Sequence, residues 1–157
     1  MLPKLTQCML YAFQKCHIDW LAVVPSTGLN EVYDYYNEQG RCLFATREEE
    51  AVAICAGLAM TGKRPLVLMQ QSGVGNALNA VFTLAQAYAI YFPIVVCDRS
   101  SYDPNPVQRH SSVSTWHVLE SLGSVFLDWT NVNASERFSE LLDRQQRWII
   151  STLVGEK

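Results

Sequence analysis

Charge is scarce in this chain of 157 residues. Charged residues make up 17% of it, below the usual quarter, and from Pro65 to Cys97 there are 33 consecutive residues with none. The charge-free run cannot be a lipid-spanning helix. It holds Gln70, Gln71, Gly73, Gly75, Asn76, Asn79, Gln86 and Pro93, whereas a span needs about 20 mostly apolar residues. Membrane insertion is therefore not expected. Paired cysteine motifs are missing too. Cys8, Cys16, Cys42, Cys55 and Cys97 are odd in number and form no CxxC, which points to reduced core thiols in a cytoplasmic protein. There is no excess of positive charge: a net charge of −3 gives no electrostatic basis for nucleic-acid binding. The start, MLPKLTQCMLYAF, has one lysine and an apolar stretch broken by Thr and Gln, so no signal peptide is expected. A scarcity of charge also leaves more surface than usual for partner chains to cover.

What is present is a regular alternation of helical and strand-like apolar patterns in a chain that is 49% hydrophobic. This is enough for one domain over residues 1–157 with a full core. Helical stripes run through Leu5, Met9, Phe13 and Cys16, and through Leu29, Val32, Tyr33 and Tyr36. Further helices are expected over 48–61, 75–89, 113–122 and 133–146. Each is followed by a short β-rich run: WLAVVP (20–25), RCLFAT (41–46), PLVLMQ (65–70), FPIVVCD (92–98), SVFLDW (124–129) and WIISTLV (148–154). The pattern implies an α/β protein, a three-layer α/β/α sandwich around a six-stranded, mainly parallel sheet. Ligands of such sheets collect at the carboxyl ends of the strands. Four loops should open there: PSTG (25–28), ATREEE (45–50), QQSGVGN (70–76) and the loop over 98–110.

TREEE sets three carboxylates at the start of the apolar helix AVAICAGLAM. Helix-end chemistry accounts for part of this. Thr46 as N-cap and Glu49 three residues on make a capping box, and acids in a first turn suit the helix dipole. The apolar body that follows predicts a helix buried nearly all round. Glu48 lies on the stripe of Val52, Cys55 and Ala59, so a second account holds beside the first: a carboxylate at the edge of a buried site, in need of a partner such as a ring nitrogen. In QQSGVGNALN a nucleotide loop would need a third glycine where Leu78 stands, and a P-loop would need a lysine. A tight turn allowing close backbone approach fits better. The helix behind it has no charge and reads as core or interface. His110 and His117 lie in or near a polar loop, with no spacing for zinc and no GxSxG for a hydrolase.

TREEEAVAICAG (46–57) and LMQQSGVGNALNA (68–80), in that order and separated by a short strand, resemble the pyrimidine-binding domain of thiamine diphosphate enzymes. The likeness leans to the alpha subunits of two-subunit sulfopyruvate decarboxylases and the matching half of phosphonopyruvate decarboxylases. It implies that Glu48, counted back from Gly57, bonds the aminopyrimidine N1′ of thiamine diphosphate, with Glu49 left to cap the helix. Pro25, Ser72, Gly73, Val74 and Asn76 would line the cofactor pocket. Ser26, Thr27, Gln108, Arg109 and His110 would lie on the substrate side, where Tyr102, Trp116 and the tyrosines at 33–36 would tolerate a bulkier substrate. The implied activity is decarboxylation of a 2-oxo acid. An acyloin-forming carboligase subunit or a non-catalytic regulatory subunit of the same fold are the alternatives; a free-standing flavodoxin-like nucleotide binder is a further one. The resemblance also implies a separate diphosphate-binding beta subunit holding Mg²⁺ through a GDG sequence, which does not occur here, in an α₂β₂ assembly. The family's Gln-His pair is interrupted by Arg109 in this chain, and Arg109 could anchor an anionic group.

Overall fold

The computed structural model describes residues 4–26, 28–99 and 104–152. Thr27 and Tyr102, both named above, lie outside them. Six strands form a single sheet: β1 (Trp20–Val23), β2 (Cys42–Phe44), β3 (Pro65–Gln70), β4 (Ile94–Asp98), β5 (Val125–Phe126) and β6 (Trp148–Thr152). Their order is β2-β1-β3-β4-β6-β5 and every pair is parallel. The helices are α1 (Lys4–Lys15), α2 (Asn30–Glu38), α3 (Glu48–Met60), α4 (Val74–Ala80), α5 (Pro106–Ser121) and α6 (Ala134–Asp143).

The strands are apolar on both faces because both faces are covered, and their two-residue period sorts the core into two layers. Leu21, Val23, Leu66, Leu68, Val95, Cys97 and Ile149 join one cluster with residues of α1, α2 and α6. Ala22, Val67, Met69, Ile94, Val96, Trp148 and Ile150 join the other with α3, α4 and α5. The first layer is anchored by Phe13, Trp129 and Phe138, whose ring centroids lie 5.3 to 5.7 Å apart. Such aromatic contacts add about 0.5–1.5 kcal/mol per pair beyond the area they bury.

Three elements differ from the sequence reading. Helix α5 begins at Pro106, not near 113. Asn105 is its N-cap, its side chain accepting from Val107 N at 3.0 Å, with Pro106 in the first turn, a strong start signal. Gln108, Arg109 and His110 are therefore helical, not in a loop. The single helix expected over 75–89 is a 3₁₀ turn (Gln71–Gly73), then α4, then a π-helical turn over Val81–Gln86. The strand expected over 124–129 is two residues long. Leu127 N still donates to Ile150 O at 2.8 Å, but Asp128 then turns the chain by accepting from Thr130 N and Oγ1.

The order of the strands decides where a site can form. β2 leaves β1 on one side and β3 pairs on the other, so the winding reverses between β1 and β3. In open α/β sheets that reversal opens a crevice at the carboxyl edge. The segments after β1, β2 and β3 all end there, and α3 starts there.

Candidate active site

Glu48 is the first residue of α3, directly after its N-cap Arg47, which is extended (φ −141°, ψ 152°). The helix starts where its apolar pattern predicts, but its N-cap is Arg47 and not Thr46, and that changes the capping bonds. Thr46 N and Oγ1 both donate to Oε2 of Glu50, each at 2.8 Å. Those bonds, the backbone one foremost, hold the Glu50 carboxyl below the usual carboxylate range. Glu50, not Glu49, is thus the capping acid. Glu49 pairs instead with Arg47 at 3.0 Å on the exposed surface, an interaction of little energetic weight.

Glu48 remains, and it is only 7% exposed. Its Oε2 accepts a hydrogen bond from Asn76 Nδ2 at 2.9 Å. No other side-chain hydrogen bond or ion pair reaches it among the described residues. No cation neutralises it there. A carboxylate drawn out of water with a single amide partner has unused acceptor capacity, and that needs a ligand or a partner group.

The turn after β3 supplies the opposite wall. Gly73 has an ordinary right-handed backbone (φ −84°, ψ −11°), so its conformation does not demand glycine. Space does. A Cβ placed on Gly73 would collide with Oε1, Cδ and Cγ of Glu48. Gly75, by contrast, has open space where a Cβ would stand, with nothing within 4 Å. The close backbone approach expected of the glycine turn is made at Gly73, and the group approaching is the Glu48 side chain.

The remaining sequence-nominated residues scatter. Ser72 is exposed, its Oγ accepting from Gln70 Nε2 at 2.6 Å. Val74 turns inward and is 1% exposed in the second core cluster. Pro25 is exposed; Ser26 is half-buried, with an Oγ that is buried and has no hydrogen-bond partner. Gln108 is half-buried with its Oε1 likewise buried and unpartnered, while Arg109 and His110 are exposed. Arg109 and His110 line a shallow cleft with Pro106 and Val113. Contact between α5 and the glycine turn runs through Ser112 instead.

A buried polar network around Ser112 has no counterpart in the sequence reading. Gln71 (1% exposed) donates from Nε2 to Ser112 Oγ at 3.4 Å, and the one Ser112 hydroxyl hydrogen is shared between Gln108 O at 3.1 Å and Asp98 Oδ1 at 3.5 Å. Arg99 N donates to Gln71 Oε1 at 3.2 Å, and Arg99 Nη1 to Gln70 Oε1 at 3.3 Å. The network ties the carboxyl ends of β3 and β4 together beside Glu48. Its one signal in the sequence was the Gln70-Gln71 pair ending an otherwise apolar strand. A separate cleft of about 240 Å³ between Arg64, Tyr91, Phe92 and Leu142 opens at the amino edge of the sheet and holds none of these residues.

The outer face of α3 is open. Ala53, Gly57 and Met60 are exposed, so the helix is not buried all round as its composition suggested. Phe82 and Tyr88 are exposed as well. The charge-free segment therefore presents apolar surface to solvent in the isolated chain. No helix among the described residues is long and apolar enough to cross a membrane. Nor do they include a group of three or more His, Cys, Asp or Glu that could hold a metal ion.

Residues 3–105 match the family described as thiamine pyrophosphate enzyme, N-terminal TPP binding domain. The chain is 36% identical over 90 residues to sulfopyruvate decarboxylase subunit alpha of Methanocaldococcus jannaschii, covering 56% of this chain and 53% of that one. It is 34% identical over 84 residues to the protein of the same name from Methanococcus maripaludis, covering 52% of this chain and 50% of that one. The matched stretch thus spans about half the length of these curated relatives. In fold, the structure superposes on benzoylformate decarboxylase from Polynucleobacter necessarius with a TM-score of 0.69 at 14% identity, over 96% of this chain and 30% of that one.

Proposed function

This chain belongs to the family of N-terminal TPP-binding domains of thiamine pyrophosphate enzymes, and from that premise we propose that it is the alpha subunit of a heteromeric decarboxylase acting on a 2-oxo acid. The observation that carries the reading is Glu48: a carboxylate 7% exposed, at the carboxyl edge, with one amide as its only side-chain partner among the described residues. The donor set suits the aminopyrimidine end of thiamine diphosphate, because Glu48 can share a proton with a ring nitrogen. Bound there, the cofactor supplies the nucleophilic carbon and electron sink that a 2-oxo acid requires to lose carbon dioxide.

The chain's own part is binding and proton handling. Glu48 holds or releases a proton at its carboxylate, and burial excludes the water that would compete for it. Gly73 leaves the room in which Glu48 stands. Ser26 and Gln108 bring buried, unpartnered oxygens to the same edge of the sheet, where a substrate donor could satisfy them.

The diphosphate and Mg²⁺ would be held by a separate beta subunit, in an α₂β₂ assembly. Two observations support a partner: curated relatives are named as subunits alpha, and the large apolar side chains of Met60, Phe82 and Tyr88 are exposed. The free thiols support a reducing cytoplasm. Sulfopyruvate or a related 2-oxo acid is the first substrate to assay, on the strength of the same relatives.

In the assembled enzyme, Glu48→Gln is expected to lower turnover roughly 10²-fold or more, with the assembly intact by size-exclusion chromatography. Near-normal turnover would instead make this a regulatory subunit.

A further inference from the structure

The two oxygens of the Glu48 carboxylate are not equivalent. Oε2 accepts from Asn76 Nδ2 at 2.9 Å, and Oε1 occupies the space where a Cβ on Gly73 would stand. An ionised carboxylate can only accept, so the Asn76 amide must present its nitrogen and not its oxygen. Resting on the function proposed above, we propose that Asn76 is a positioning residue and not a cofactor contact: it holds Oε2 as a fixed acceptor, so that the proton exchanged with the cofactor's ring nitrogen resides on Oε1.

The chemistry follows from donor and acceptor counting. A proton placed on Oε2 would point one donor at another, since Asn76 Nδ2 can offer only hydrogens. Protonation at Oε1 leaves the Asn76 bond intact. The proton then moves between a ring nitrogen and Oε1, one N–H bond breaking as one O–H bond forms, with no other reactant. Geometry adds the restraint. Glu48 and Asn76 sit in the first turns of α3 and α4, so their bond joins two helix starts and fixes the direction in which a long side chain points. Gly73 clears the remaining side. Without the amide, the carboxylate keeps its place at the edge and loses its orientation, and misplacement of a reacting group by about 1 Å can cost on the order of 10²-fold.

Two measurements test this. On the cofactor-free chain, urea midpoints are compared for the unsubstituted protein, Asn76→Ala, Glu48→Ala and the double variant. Asn76→Ala is expected to lower the midpoint when Glu48 is present and to do so much less when it is absent; additive effects would overturn the contact. In the assembly, Asn76→Ala is expected to lower kcat by about tenfold while the thiamine diphosphate concentration for half-maximal activity stays within about threefold. The opposite split, with weakened cofactor affinity and preserved kcat, would make Asn76 a cofactor contact and overturn the proposal. An unsubstituted assembly that neither binds thiamine diphosphate nor turns over would defeat the functional reading and this one with it. That result is distinguishable, because the cofactor-free comparison would still report the Glu48–Asn76 bond.

Discussion

Gly73 has no side chain, and the site depends on that. Its backbone angles would suit any residue, so a substitution is opposed by the volume Glu48 occupies and not by conformation. Gly73→Ala should therefore cost about 1–3 kcal/mol of stability, the usual range for overpacking, read from urea unfolding of the isolated chain. Combined with Glu48→Ala, the cost should largely vanish, since residues in contact do not act additively. If both backgrounds lose the same amount, Glu48 is not the group that excludes a side chain at 73.

Elements show how local chemistry moved the boundaries. The helix bearing the acids was legible as a helix, and Glu48 was legible as the acid on its packed stripe. The cap was not, because Thr46 and Arg47 compete for the N-cap position and a shift of one residue passes the role from Glu49 to Glu50. The start of α5 was signalled by Asn105-Pro106 but hidden by the polar run around it, whose residues look like loop when no apolar stripe supports them. The π turn over Val81–Gln86 was missed because its extra residue per turn only rotates the apolar stripe, a shift that one largely apolar segment does not reveal. Only the Gln70-Gln71 pair hinted at the Ser112 network, because its other members come from segments distant in sequence. At this scale the α5 cap gives a direct expectation. Asn105→Ala should lower stability by about 1 kcal/mol, seen as a lower urea midpoint. An unchanged midpoint would mean that the helix start is held by other contacts.

For the whole molecule, the alternation of strands and helices carried the fold class, and the parallel order follows from strands each fed by a helix. Which strands neighbour one another did not follow, because apolar runs such as VLM and IVV could pair equally well. The molecule also stores stability in neutral acids. Burial pushes the Cys42 thiol up to about 11 and the Tyr91 phenol up to about 12, and moves Cys55, Cys97 and Tyr36 upward as well. Each raised group binds its proton more tightly folded than unfolded. Its contribution is complete below the ordinary value, 9.0 for the thiols and 10.0 for the phenols, and is lost as pH rises through the folded-state values. The urea midpoint should accordingly fall between about pH 8 and about pH 10.5. A midpoint constant over that interval would show that these groups ionise alike in both states.

The strand order also sets a timetable for synthesis. β5 pairs with β6 alone, and β6 lies between β4 and β5. A nascent chain halted before residue 148 would hold β4 with one edge bare and β5 with no neighbour at all. Those bare edges invite association with other chains. The strand that joins β4 to β5 is therefore made after both of them, and a pause just before it leaves those two edges uncovered.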